Sequence, residues 1–172
     1  MSTTVGVIGC GYWGPNLIRN VAENEAASLS WVCDRDARRL EKVSRRYPAA
    51  RASTDHRELL ADPRLDAVVV STPVATHYAF ARAALLAGKH VLVEKPLTAS
   101  AREAEELIAI ASARGRRSLM NMTPWPTKTS SSTRTPSQMK VWLEILQRAP
   151  TTAPFWISTK VPRRVSSPTV QP

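Results

Sequence analysis

Cysteine and histidine are scarce in this sequence, and it has no long apolar run. Two cysteines, Cys10 and Cys33, and three scattered histidines fall short of the closely spaced ligands of a zinc site, so we expect no metal site. No apolar run approaches the roughly 18 residues of a membrane span, and the first residues lack the pattern of a secretion signal. We therefore expect a cytoplasmic protein with no membrane partner, whose cysteines are reduced, partly buried thiols.

Acidic residues are nearly absent from the last third of the chain. Residues 1–118 hold 17 Lys/Arg against 13 Asp/Glu, whereas residues 119–172 hold seven basic residues and the single acid Glu144. The net charge of +10 is therefore concentrated outside the patterned part of the chain. We expect no specific nucleic-acid partner, and weak salt-sensitive binding by residues 121–172 remains a minor alternative.

The first 120 residues alternate short apolar runs with helical patterns. The runs are "TVGVIG", "SLSWVC", a weak "AARA" at 49–52, "DAVVVS", "HVLVE" and "SLMN". Near-continuous apolar strands that alternate with helices are typical of a parallel sheet covered on both faces. This predicts an α/β domain over residues 1–120 with a doubly wound parallel (Rossmann) sheet.

Polar residues at the predicted helix starts supply capping groups. The predicted caps are Asp36, a position near Asp55, Thr76, and Ser100 with Glu103 as a capping box. In the helix after Thr76, the spacing predicts an inward face made of Phe80, Ala83, Ala84 and Ala87. These boundaries place every predicted helix between two strands.

A glycine motif follows the first strand. Gly9-x-Gly11-x-x-Gly14 lies between a strand and a helix, and Asp34 ends the next strand 20 residues past Gly14. Such loops turn tightly and let a pyrophosphate approach the backbone, while the acid binds the adenosine ribose. The charge of Asp34 favours NAD over NADP, although Arg35 could pair with a 2′-phosphate or stack on adenine. A purely structural glycine turn, an aspartate that only caps a helix, and a methyltransferase-type nucleotide site remain alternatives.

Two further strands end at the same predicted edge of the sheet. Ser71, Thr72 and Pro73 follow one of them and would form a wall beside the nicotinamide, and Glu94 and Lys95 follow the next. A histidine begins the intervening helix, His77, and it either contacts the cofactor or is satisfied by backbone groups. Ligands of doubly wound sheets bind at this edge. Lys95 is therefore a candidate active-site residue, with a solvated loop lysine as the alternative.

The motifs "GVIGCGYWGPN", "CDRD", "STPVATHY" and "EKPL" together resemble the nucleotide-binding half of the Gfo/Idh/MocA oxidoreductases. The resemblance implies an NAD(P)-dependent dehydrogenase of sugars or sugar nucleotides, similar to members that oxidise amino-sugar nucleotides, whose full-length forms are homo-oligomers. Lys95 would bind the substrate hydroxyl and assist proton transfer, and partial burial would lower its pKa. The implied cofactor contacts are Gly9, Gly11, Tyr12, Trp13, Gly14, Asp34, Arg35, Ser71, Thr72, Pro73, His77, Glu94 and Lys95.

The resemblance ends at Asn121. The expected substrate domain is not recognisable in residues 121–172, which contain eight of the 13 prolines and no glycine. We interpret this segment as a disordered, basic Ser/Thr/Pro-rich tail, and we hypothesise that it is a frame-shifted remnant of that domain; a genuine tail is the competing interpretation. The chain would then bind NAD with little turnover, and the alternatives are a non-catalytic nucleotide-binding module or a nonfunctional fragment.

Overall fold

A parallel sheet forms the centre of the molecule. The computed structural model describes residues 2–115 and 118–120, and the predicted tail at 121–172 lies outside the described residues. The strands of the described part are β1 (Thr3–Ile8), β2 (Ala27–Cys33), β3 (Arg51–Ser53), β4 (Ala67–Val70), β5 (His90–Val93) and β6 (Ser118–Met120). All pair in parallel, in the order β3-β2-β1-β4-β5-β6. The predicted doubly wound α/β fold is confirmed, and its strand order reverses between β1 and β4.

Five helices connect these strands in the described residues. They are α1 (Gly14–Ala22), α2 (Ala37–Arg46), α3 (His56–Ala61), α4 (His77–Leu86) and α5 (Ala101–Ala113). The carboxylates of Asp36 and Asp55 accept the main-chain N–H two residues on, at 3.0 and 2.9 Å. The hydroxyl of Ser100 accepts the N–H of Glu103 at 3.3 Å. Three of the four predicted caps therefore act as side-chain caps.

Among the described residues, no helix is long and apolar enough to cross a membrane.

The start of α4 differs from the prediction. Thr76 occupies the cap position, but its backbone is helical because Val74–Thr76 form a 3₁₀ turn. Its hydroxyl donates to the carbonyl oxygen of Pro73 at 2.7 Å and does not cap α4, so this prediction is wrong. Of the predicted inward face of α4, Ala84 is buried and Phe80 packs partly buried against the core, but Ala87 is not buried. The buried residues of α4 are His77, Ala81, Ala84 and Leu85. The helix is turned so that the buried ring of His77 begins the inward face, which leaves Ala87 exposed.

The core lies on both faces of the sheet. Alternate residues of β1 point to opposite sides, so that Val5 and Val7 join one cluster and Ile8 joins the other. On the first face, α1 and α2 contribute Leu17, Ile18, Val21, Leu40 and Val43. On the second face, α3, α4 and α5 contribute Leu59, Ala81, Ala84, Leu85, Leu107 and Ala111. Because helices cover both faces, ligand access to the sheet is at the strand ends.

The carboxylate of Asp62, which follows α3, contacts several polar side chains on the second face of the sheet. It accepts hydrogen bonds from the indole N–H of Trp31 at 3.0 Å and from the main chain and side chain of Arg64. The guanidinium of Arg51 lies 3.7 Å away, and the Lys89 ammonium donates to the Asp62 carbonyl oxygen at 2.8 Å. The hydrogen bonds from Arg64 and Trp31 hold the pKa of Asp62 well below its ordinary value of 3.8.

We expect Asp62 to make stability depend on pH in acid. The pKa of Asp62 is lower in the folded state than in the unfolded state. The carboxylate therefore contributes its full stabilisation at pH values above its ordinary pKa, and this stabilisation is lost as the pH falls through the folded-state pKa. Asp62→Asn should therefore be less stable than wild type at pH 6, with a smaller difference at pH 2.5, in urea unfolding curves at each pH. Glu25→Gln, at an exposed position, is the matched control for removal of one carboxylate. An Asp62→Asn deficit of equal size at both pH values would contradict this prediction.

Candidate functional site

The glycine loop makes the connection from β1 to α1. Gly9 has a φ of 104°, in the region that favours glycine, and its N–H donates to the carbonyl oxygen of Cys33 at 2.7 Å. A Cβ on Gly9 would overlap the carbonyl oxygen of Ser71, and a Cβ on Gly14 would overlap that of Gly9. Gly9 and Gly14 are therefore required by the fold itself, where backbone passes directly against backbone.

Gly11 is different, because a Cβ built there would meet no backbone atom within 4 Å among the described residues. A Cβ built there would meet one described atom within 4 Å, Nη1 of Arg39 at 3.6 Å. The N-terminus of α1 follows immediately, and its cap residue, Trp13, makes no side-chain capping hydrogen bond. Within the loop, Tyr12 is 97% exposed and Trp13 is 40% exposed, so both aromatic side chains are accessible from solvent. The free N–H groups of a helix start suit an anion, and Gly11 leaves backbone accessible to one.

Asp34 stands beside this loop at the end of β2. The residue is 8% exposed, and its carboxylate oxygens accept the main-chain N–H groups of Cys10 at 2.7 Å and Asp36 at 2.9 Å. Each oxygen keeps a second lone pair that can accept from a hydroxyl. The side chain is thus fixed in orientation by the loop, as recognition of a ribose requires. The alternative of an aspartate that only caps a helix does not describe Asp34, because Asp36 caps α2.

Arg39 lies beside Asp34 in the candidate site, and the sequence analysis missed it. Its Nη1 lies 3.8 Å from a carboxylate oxygen of Asp34, and its Nε lies 3.7 Å from one of Asp36. Arg35, the predicted basic residue, is exposed. The signal in the sequence was the spacing of Asp36 and Arg39, which lie three residues apart and so share a face of a helix start. Arg39 therefore places a positive charge between Asp34 and Gly11.

The two cysteines of this region are buried free thiols. Burial, followed in size by the charge of Asp34, raises the pKa of Cys10 to about 12. The same causes raise the pKa of Cys33 to about 11. A thiol reacts as its thiolate, so neither is activated as a nucleophile at neutral pH.

The turns after β4 and β5 meet the glycine loop at one edge of the sheet. Main-chain hydrogen bonds continue past the strand ends, from the Ser71 N–H to the Ile8 carbonyl at 2.8 Å and from the Glu94 N–H to the Val70 carbonyl at 2.9 Å. Thr72 and Pro73 follow Ser71 directly. The predicted residues of all three turns therefore lie at the carboxyl ends of neighbouring strands, where doubly wound folds bind ligands.

His77 is almost completely buried behind these turns. It is 1% exposed, and its Nδ1 and Nε2 lie 2.8 Å from the carbonyl oxygens of Pro96 and Thr72, respectively. The sequence left open whether backbone groups or a cofactor would satisfy this histidine. In the structure both ring nitrogens contact backbone.

Lys95 follows β5 in a turn with a cis peptide bond to Pro96. The Lys95 N–H donates to the Glu94 carboxylate at 3.2 Å. Lys95 itself is exposed, so the partial burial that we expected is not found in the described part of the chain. The reason is its position: it lies beyond the end of β5, where neither helix layer covers it.

Similarity to known proteins identifies the family of this chain. The family model described as "Oxidoreductase family, NAD-binding Rossmann fold" matches residues 3–122. The uncharacterized oxidoreductase YdgJ of Escherichia coli K12 is 36% identical over 113 residues, which are 65% of this chain and 32% of that protein. The inositol 2-dehydrogenase of Acidothermus cellulolyticus is 36% identical over 117 residues, 67% of this chain and 34% of that protein.

Solved structures give the same result. GenD2 from gentamicin A biosynthesis, in complex with NAD, has a TM-score of 0.67 at 38% identity, covering 69% of this chain and 34% of that one. KijD10, a 3-ketoreductase from Actinomadura kijaniata in complex with NADP and TDP-benzene, has a TM-score of 0.67 at 31% identity, covering 70% and 37%. This chain spans about a third of the length of these relatives.

The open backbone at Gly11 and the oriented carboxylate of Asp34 suit the pyrophosphate and the ribose of a dinucleotide. Together with the family match over residues 3–122, they show that this chain belongs to the GFO/IDH/MocA oxidoreductase family and contains its NAD-binding Rossmann domain.

Proposed function

We propose that this chain is the cofactor-binding part of an NAD-dependent dehydrogenase of sugars or sugar nucleotides. The observation that carries the proposal is Asp34, whose carboxylate is held by the Cys10 N–H beside the open backbone of Gly11. In this arrangement Asp34 accepts hydrogen bonds from the adenosine ribose hydroxyls, and the start of α1 faces the pyrophosphate. The substrate class rests on the relatives, among them an inositol dehydrogenase and a ketoreductase solved with TDP-benzene.

The chemistry proposed for the site is oxidation of a secondary alcohol to a ketone. NAD, when bound, supplies a hydride acceptor at nicotinamide C4. Lys95 would bind the substrate hydroxyl and, as the neutral amine, take its proton to become an ammonium as the C–H hydride departs. Ser71, Thr72 and Pro73 would border the nicotinamide side. Glu94 bonds the main chain of Lys95 and so orients the turn that bears it. Catalysis also requires the substrate to be positioned against the cofactor.

The proposal divides the chain at residue 120. Residues 1–120 are the cofactor domain, and residues 121–172 are proposed to be a frame-shifted remnant of a substrate domain. Turnover by this chain is therefore expected to be low. Sequencing the gene across codon 121 tests this part: an alternative reading frame that encodes no glycine-bearing α/β continuation would contradict it.

Isothermal titration of the full chain with NADH tests the cofactor proposal. We expect binding that weakens by about 10-fold or more in Asp34→Ala, since a hydrogen bond to a charged group contributes about 1.5–3 kcal/mol. Asp55→Ala is the matched control, because it removes a helix cap of the same kind, at the start of α3, and leaves Asp34 and Arg39 in place. No binding at millimolar NADH, or equal losses in the two variants, would contradict the proposal.

Arg39 should affect the choice between NADH and NADPH. Its guanidinium partly neutralises Asp34, so Arg39→Ala leaves a stronger repulsion of a 2′-phosphate. We expect NADPH affinity to fall by roughly 10-fold, or about 1.4 kcal/mol, and NADH affinity to change much less. Arg38→Ala is the control, since the exposed Arg38 pairs with Asp36 and not with Asp34. Equal effects of both substitutions on both nucleotides would contradict a specific role for Arg39.

A further inference from the structure

His77 connects two turns that are separate in the sequence. Its Nε2 lies 2.8 Å from the carbonyl oxygen of Thr72, in the turn after β4. Its Nδ1 lies 2.8 Å from the carbonyl oxygen of Pro96, in the turn after β5. The residue is 1% exposed, so water does not compete for either contact. One side chain at the start of α4 therefore contacts the main chain of both turns.

The ring of His77 lies within hydrogen-bonding distance of both turns. A carbonyl oxygen only accepts hydrogen bonds, so the donor in each case is a ring N–H. Every tautomer of the ring carries at least one N–H. The nitrogen that bears it donates to one turn, and the other ring nitrogen packs against the second turn.

The bridge acts on the main chain next to the proposed catalytic group. Lys95 immediately precedes Pro96, whose carbonyl oxygen His77 contacts, and the Lys95 side chain itself is exposed. On the other side, the Thr72 hydroxyl donates to the Thr76 hydroxyl at 2.8 Å, because the Thr76 hydroxyl itself donates to the Pro73 carbonyl oxygen. These contacts fix the backbone of both turns, and the side chain of Lys95 remains exposed.

We propose that His77 is a positioning residue whose buried ring, in contact with both carbonyl oxygens, holds the Thr72–Pro73 turn and the Lys95–Pro96 turn at a set separation. In this role it acts through the two turns and not by contact with the cofactor or the substrate. Its importance for catalysis rests on the proposed function, but the bridge itself does not. The bridge can therefore be tested in this chain without turnover.

The first experiment is nitrogen-15 NMR of the histidine rings in the full chain at pH 7. We expect a His77 ring N–H that exchanges with solvent about 10-fold or more slowly than that of the partly exposed His56, because a buried N–H bonded to a carbonyl oxygen is protected. The signal is assigned by its disappearance in His77→Gln. A His77 ring N–H that exchanges as fast as that of His56 would overturn the bridge.

The second experiment is amide hydrogen exchange in His77→Phe, which keeps a buried ring without donors. We expect the Thr76 and Glu94 amides, which bond Pro73 and Val70, to exchange about 10-fold faster or more. The Val7 amide in β1 should change much less, and NADH should bind about 10-fold more weakly. His56→Gln, at the start of α3, is the control and should change neither turn.

Unchanged exchange in both turns, or an equal acceleration throughout the sheet, would overturn the positioning role. Absence of NADH binding by the wild-type chain would contradict the proposed function. The exchange and NMR results could still be interpreted, because neither measurement uses the cofactor. The two proposals can therefore fail separately.

Discussion

Replacing Gly9 by alanine is expected to lower the free energy of unfolding by roughly 2–5 kcal/mol. Alanine is strained at the φ of 104° that Gly9 adopts, and its methyl group would overlap the carbonyl oxygen of Ser71. The obstruction is backbone, and the Ser71 N–H is bonded to Ile8 in the neighbouring strand. No flexible side chain can move to make room, so β1 and β4 must separate locally. Urea unfolding followed by tryptophan fluorescence measures this loss.

Gly11→Ala is the matched control for Gly9→Ala, because we expect it to lower NADH affinity and to leave the stability almost unchanged. Its methyl group meets one described atom at 3.6 Å, on the Arg39 side chain, so we expect the stability to stay within about 0.5–1 kcal/mol of wild type. The same methyl group would stand where a pyrophosphate approaches the backbone, so NADH affinity should fall by about 10-fold or more. A Gly9→Ala protein as stable as wild type would contradict the backbone contact, and unchanged NADH affinity in Gly11→Ala would contradict the proposed phosphate position.

The second large effect concerns Lys95 and is measured in a full-length relative, where turnover can be assayed. Replacement of the lysine in the same Glu-Lys-Pro sequence by alanine should lower kcat by about 10²–10⁴-fold, the usual contribution of a positioned acid or base. NADH affinity should change little, because we propose that the cofactor is held mainly by the glycine loop and by the aspartate that corresponds to Asp34. Steady-state kinetics with direct NADH titration separates the two quantities.

Arginine at the same position is the control that distinguishes proton transfer from charge. A guanidinium keeps the positive charge but does not lose its proton in proteins. We therefore expect the arginine variant to be almost as slow as the alanine variant. Nearly full activity with arginine would assign the lysine an electrostatic role, and full activity with alanine would remove it from the mechanism.

Much of this architecture could be predicted from local sequence patterns. The apolar runs of the strands match the observed sheet, with the weak run at 49–52 appearing one to two residues later as Arg51–Ser53. Asp36, Asp55 and Ser100 act as caps because capping joins residues two or three positions apart. Gly9 and Gly14 were also identifiable, since a strand–glycine–helix sequence imposes the same tight turn wherever it occurs.

Other features were not readable from the sequence. Thr76 was predicted to cap α4, but a 3₁₀ turn redirects its hydroxyl. Partial burial was expected for Lys95, but its turn projects beyond both helix layers. Arg39 was overlooked in favour of Arg35, because only the direction of α2 decides which guanidinium reaches Asp34.

The amino-acid order alone therefore determined the fold class, the position of the glycine loop and the family, since these depend on patterns within a few residues or within one strand–helix unit. The tertiary structure alone decided which groups meet across the sheet edge: the Cys10 N–H with Asp34, 24 residues apart, and His77 with Pro96, 19 residues apart. Those contacts arise because parallel strands bring their carboxyl ends together, and strand order and helix rotation, which set the partners, are properties of the packed molecule.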